Sequence, residues 1–112
     1  MLIYKIFRAP EWDDLDASGE TRGAPVDLSD GFIHFSTATQ AAETARRHFA
    51  GDEGLILAAV ETDLLPIPVI WEKSRGGDDF PHLYAPLPRS AVVWAKPMPL
   101  RDGAHVFPRE MI

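Results

Sequence analysis

The chain has 112 residues, 46% hydrophobic and 25% charged, enough for one globular core and too short for two. Its 11 Lys and Arg against 17 Asp and Glu give a net charge of −6 with no basic block, so tight binding to a nucleic-acid backbone is not expected. The absence of cysteine excludes disulfides, Cys-ligated zinc, iron–sulfur clusters and thiol nucleophiles together.

Residues 1–7, MLIYKIF, read as a strand with Ile3, Lys5 and Phe7 on one face and Leu2, Tyr4 and Ile6 on the other. Lys5 and Arg8 interrupt this segment too early for a signal-peptide core, and no stretch reaches the ~20 apolar residues of a membrane span. A soluble cytoplasmic protein without membrane contact is the default expectation. APEWDDLDASG predicts a short helix, with Pro10 suited to its first turn, acidic residues near its N-terminus and Gly19 as its stop. ETRGAPVDLSDG, residues 20–31, is polar and turn-rich and reads as a connecting loop.

FIHFS, residues 32–36, is the second predicted strand. Thr37 then opens a helix, with Gln40 at capping-box spacing and Ala38, Ala42, Ala45 and Phe49 in a stripe. Glu43 and Arg47 form an i,i+4 pair outside that stripe, and Gly51 ends the helix. LILAAVE is a continuous apolar run suited to a buried strand. IPVIWEK is a further strand, entered through prolines that forbid a central ladder position. SRGGDD is a loop, FPHLYAPL a strand, AVVWAKP a last strong strand, and RDGA a tight turn. The order β-α-β-α followed by four strands predicts one α+β domain over residues 1–112. Its sheet is mixed or antiparallel, with about six strands and two helices.

Two heptapeptides stand out: DGFIHFS at 30–36 and DDFPHLY at 78–84. Strand alternation puts Phe32, His34 and Ser36 on one face, and Phe80, His82 and Tyr84 on one face of the other. If the faces meet, they supply two imidazoles, hydroxyls and aromatic rings, the mixture of apolar surface and directional polar groups that a small-molecule site needs. Acid–base work by His34 and His82 on a phosphodiester is chemically reasonable there. The alternative is that each histidine is a satisfied core or edge side chain. A metal set would need Asp79 or Glu72 as a third ligand, and no H-x-H or H-x-x-x-H spacing supports one. Glu72 is a candidate site carboxylate or a solvated strand end. Arg75, in the glycine-bearing loop, could hold a phosphate or carboxylate.

IYKI, DGFIHFSTATQ, ETARRHF and W-E-x-S-R-G-G-x-x-FPHLYAPL together resemble an uncharacterised bacterial family known only as a domain of unknown function, number 952. That resemblance covers nearly the whole chain and implies an ADP-ribosyltransferase-like fold. GFIHFST is also distantly similar to the H-V-H-L-S strand of RNA 2′-phosphotransferases, which share that fold and use NAD. By this likeness Lys5 takes the first-strand position usually held by His or Arg, and His34 the position near the nicotinamide ribose. Ser36 and Thr37 match the adjacent Ser/Thr. His82 and Tyr84 stand where a catalytic Glu is common, with Glu72 as the nearest carboxylate candidate. The expectation is a domain binding NAD or another nucleotide-like, phosphorylated ligand, and acting as a transferase. The alternative is a non-catalytic binding or protein-interaction module with structural histidines.

Overall fold

The computed structural model describes residues 1–74 and 76–111, so Arg75 and the last residue lie outside the described part. In chain order the strands and helices are β1 (Leu2–Arg8), α1 (Ala9–Ser18), β2 (Glu20–Thr21), α2 (Pro25–Asp30), β3 (Ile33–His34) and α3 (Ala38–His48). There follow β4 (Leu55–Glu61), β5 (Ile70–Lys73), β6 (Asp79–Leu83), β7 (Leu87–Pro88), β8 (Val92–Met98), β9 (Leu100–Arg101) and β10 (Ala104–His105). The α+β class holds, and every strand pair is antiparallel.

The main sheet has the order β1-β4-β8, with Lys5 opposite Ala58 and Ala58 opposite Ala95. β4 is its middle strand, and its unbroken apolar run is explained by burial on both faces: Leu55, Leu57, Ala58, Ala59 and Val60 are all buried. One face joins Ile3, Phe7, Ala58 and Val60 to Leu15 of α1 and to Ile33, Phe35 and Leu83. The opposite face joins Tyr4, Ile6, Leu57 and Ala59 to Ala45 of α3 and to Met98. The alternation expected of β1 therefore holds, and it places Lys5 on the inner face between Ile3 and Phe7.

The second sheet, of order β3-β6-β5, is short. A single isolated bridge joins the two, with Tyr4 N–H donating to the Ser36 carbonyl and Ser36 N–H to the Tyr4 carbonyl, each at 2.8 Å. Two-stranded pairs β2-β7 and β9-β10 complete the described strands.

Several boundaries differ from the expectation. Among the described residues there are ten strands in four sheets, not about six in one, and three α-helices, not two. The added helix, α2, lies inside the segment read as a loop. Pro25 starts it, the Asp27 carboxylate accepts from the Ala24 N–H at 2.7 Å, and Gly31 closes it at φ +86°. FPHLYAPL is split, because the chain bends between β6 and β7. On α3 the buried residues are Ala41 and Ala45, so the packed stripe is rotated from the one expected, and Ala38 and Ala42 face outward. The capping box at Thr37 and Gln40 is as expected, with Gln40 N–H donating to Thr37 Oγ1 at 3.3 Å and Thr37 N–H to Gln40 Oε1 at 3.0 Å.

Candidate functional site

The register of β3 against β6 sets His34 directly opposite His82. Directly opposed residues of an antiparallel pair project to the same face. The imidazole centroids are 5.2 Å apart and their planes are at 70°. Phe32 covers both: its ring stacks on His82 at 4.2 Å and 28°, and tilts against His34 at 4.6 Å and against Tyr84 at 5.0 Å. The other face of these strands sends Ile33 and Leu83 into the core, which fixes the register, since a one-residue slip would turn both out of it; His82 is itself buried, stacked on Phe32, and His34 half-buried.

Each imidazole is held by a carboxylate through Nδ1. His82 Nδ1 lies 2.7 Å from Glu72 Oε1, which also accepts the Tyr84 hydroxyl at 2.7 Å. Glu72 comes from β5, opposite Phe80, and so reaches His82 on the diagonal. Hydrogen bonding from Tyr84 first, and from His82 second, lowers the Glu72 pKa below the ordinary carboxylate value. Glu72 in turn raises the Tyr84 pKa, because it accepts the phenol proton. Glu72 is therefore ionised at neutral pH and Tyr84 is neutral.

His34 is held by Asp27, a residue with no place in the sequence-based site. Asp27 is 1% exposed and makes four contacts. Oδ1 accepts the His34 backbone N–H at 3.1 Å and lies 2.5 Å from His34 Nδ1. Oδ2 accepts the Ala24 N–H at 2.7 Å and pairs with Lys5 Nζ at 2.9 Å. Burial alone pushes the Asp27 carboxyl up. The hydrogen bond from His34, the Lys5 charge and hydrogen bond and the Ala24 amide outweigh it and hold the pKa at about 2. The carboxylate is confined: a Cβ at Gly23 would come within 2.3 Å of Asp27 Oδ2, and Gly23 sits at φ +103°. At its other nitrogen His34 meets Asp30, with Nε2 3.0 Å from Oδ2. Only a doubly protonated ring can donate to both carboxylates at once.

His34, His82, Glu72 and Tyr84 thus come together as the sequence suggested. Lys5 is close but inward, 7% exposed, with Nζ shared between Asp27 and the His34 carbonyl at 3.2 Å. Ser36 and Thr37 go elsewhere. The strand ends at His34, so alternation no longer applies to Ser36, and its Oγ exchanges a hydrogen bond with Thr44 Oγ1 at 2.9 Å. Thr37 is spent on the helix cap. Arg75 falls outside the described residues. Asp27 and Asp30 were hidden in the segment read as a loop. Pro25 and Gly31, six residues apart with an acid three residues after Ala24, were the signal that could have found them. Among the described residues no cluster of three or more His, Asp or Glu has a geometry that could hold a metal ion.

Neither of two depressions on the described surface is lined by the histidines. One, of about 410 Å³, is walled by Met1 and by residues of the proline-bearing stretch from Leu65 to Val69 together with Trp71. The other, of about 260 Å³, shares Phe32 and Tyr84 with the imidazole face.

An antiparallel α+β fold whose short three-stranded sheet presents two histidines, each held by a carboxylate, is the class that these observations define. Residues 6–95 match the model of the family described as protein of unknown function (DUF952), and the chain belongs to that family. The crystal structure of protein CC0527 from Caulobacter crescentus is similar, with 46% identity, a TM-score of 0.91 and coverage of 99% of this chain and 98% of that one. Its solution NMR structure agrees, at 47% identity and a TM-score of 0.81, covering 93% of this chain and 90% of that one. Comparison with curated proteins gave no match. Among the described residues, no helix is long and apolar enough to cross a membrane.

Proposed function

We propose that the face formed by Phe32, His34, Glu72, His82 and Tyr84 binds a nucleotide-like ligand, with NAD the leading candidate, and acts on it as a transferase of ADP-ribosyltransferase-like type. The observation that carries this reading is Glu72. An ionised carboxylate is fixed beside the His82 imidazole, held on one oxygen by His82 and Tyr84 at 2.7 Å each. A carboxylate so placed stabilises positive charge that develops near it.

The residues suit such a ligand in part. Phe32 and Tyr84 offer ring faces to a planar cationic group. Glu72 offers an acceptor to sugar hydroxyls. Lys5 is already engaged by Asp27, and both His34 nitrogens face carboxylates, so the cation for a phosphate comes from outside this face. The chemistry such a ligand supplies is a glycosidic bond that breaks with positive charge on the sugar. With Nδ1 of His82 given to Glu72, proton exchange falls to Nε2. Asp27 orients His34 and keeps its ring upright against Phe32.

A thermal-shift series on the full chain tests this, using NAD, ADP-ribose, nucleoside phosphates and sugar phosphates. A true ligand at one hundred times its Kd stabilises the fold by about 2.7 kcal/mol. The shift should vanish in His82→Ala, while Glu72→Gln should keep binding and lose any consumption of NAD followed by NMR. A ligand bound without turnover would favour the second reading, a binding module. That reading draws on the full hydrogen bonding of both dyads at rest. No shift with any compound would overturn both.

A further inference from the structure

The depression of about 260 Å³ beside the imidazole face has the composition of a subsite. Arg22, Leu28, Phe32, Tyr84, Ala85 and Pro86 line it together with Asp27, whose carboxylate is already held by Lys5, Ala24 and His34. Leu28 is 60% exposed and Tyr84 45%, so apolar surface stands open to water at its rim. Phe32 and Tyr84, 5.0 Å apart, form the ridge between the depression and the histidines, so a molecule lying across that ridge touches both. Arg22 is exposed and makes no ion pair among the described residues, although the chain carries a net charge of −6. The volume is below the ~300–1,000 Å³ typical of whole-ligand pockets and suits one ring system.

From these observations we infer that this depression is the seat of the planar base of a nucleoside phosphate, whose sugar crosses the Phe32–Tyr84 ridge toward His82 and Glu72. This inference rests on the reading above and deepens it, by dividing the ligand between two neighbouring sites. Leu28, Ala85 and Pro86 cover the base, Phe32 and Tyr84 present ring faces, and the Arg22 guanidinium stacks on the base or meets the phosphate. Stacking on an aromatic ring is worth about 1–3 kcal/mol per base, or roughly five- to 150-fold in affinity.

The test compares adenosine monophosphate, ribose 5-phosphate and adenosine by titration calorimetry and amide NMR on the full chain. Wild type should bind the monophosphate at least tenfold more tightly than the sugar phosphate, with NMR shifts at Leu28, Phe32 and Tyr84. Leu28→Trp, which fills the depression from an exposed position, should erase that tenfold preference and leave sugar-phosphate binding intact. Arg22→Ala should weaken the monophosphate about tenfold without moving the melting temperature. Equal affinity for monophosphate and sugar phosphate, or an unchanged ratio in Leu28→Trp, would overturn the subsite and leave the imidazole site standing. Silence toward all three probes would overturn the subsite together with the reading on which it rests.

Discussion

The two three-stranded sheets solve different problems with the same antiparallel pairing. In β1-β4-β8 the outer strands pair with β4 over long stretches, β1 along seven residue pairs, and β4 is dry on both faces. In β3-β6-β5 the β3–β6 ladder is two pairs long, one face of that ladder is apolar and buried, and the other holds the buried His82 beside half-buried His34 and Glu72. The long sheet is stabilised by non-directional burial, which tolerates exchange of one aliphatic side chain for another of like volume. The short sheet is held by directional contacts, and one buried carboxylate, Asp27, secures its β3 edge to the long sheet through Lys5.

That contrast can be broken at Asp27. Asp27→Asn leaves the Lys5 ammonium buried without its counter-charge and should cost about 3–5 kcal/mol in urea unfolding. It should also scatter the His34 NMR signals. A cost below 1 kcal/mol would mean that Lys5 finds water and the anchor is dispensable. Leu57→Ala, at a wholly buried position of β4, should cost about 3 kcal/mol by leaving a cavity. It should leave the His82 and Tyr84 resonances in place, and movement of both would show that the sheets do not act separately.

Acid should reach the short sheet through the same carboxylate. Asp27 titrates at about 2 in the fold, against an ordinary 3.8. As pH falls, the unfolded chain takes up this proton first, so stability is lost. The contribution, about 2 kcal/mol, is complete above the ordinary value and disappears between about pH 4 and pH 2. Carbon NMR of the Asp27 carboxyl should give a midpoint near 2, and a midpoint near 4 would remove the anchor's electrostatic role. The smallest effect is expected at Tyr84. Its phenol is the foremost cause of the lowered Glu72 pKa, so Tyr84→Phe should move the Glu72 midpoint upward and change stability by less than about 0.5 kcal/mol. An unmoved midpoint would assign the lowering to His82 alone.

What the sequence disclosed follows the same division. β4 was legible because six apolar residues in a row have few other uses, and α1 because Pro10 and Gly19 bracket it. The facing of His34 and His82 was half legible: alternation gives each strand's face, whereas the pairing of β3 with β6 depends on contacts 48 residues apart in the chain. Glu72 was reachable for the same reason, by its place in β5. Ser36 was misplaced because alternation was carried past the point where the chain leaves one sheet for the other. Asp27 was invisible because six residues make too short a helix for a periodic signal, and its four contacts come from three residues, Lys5, Ala24 and His34, in separate segments.

The Tyr4–Ser36 bridge has a consequence for motion. The bridge is one residue wide, but the join is broader: Ile33 and Leu83 of the short sheet lie in one core with Ile3, Phe7, Ala58 and Val60 of the long one. Lifting the histidine face would draw that apolar surface into water, so solvent exchange at the Ser36 amide should follow exchange at the amides deep in β4. The histidine face is thereby as rigid as the core that carries it.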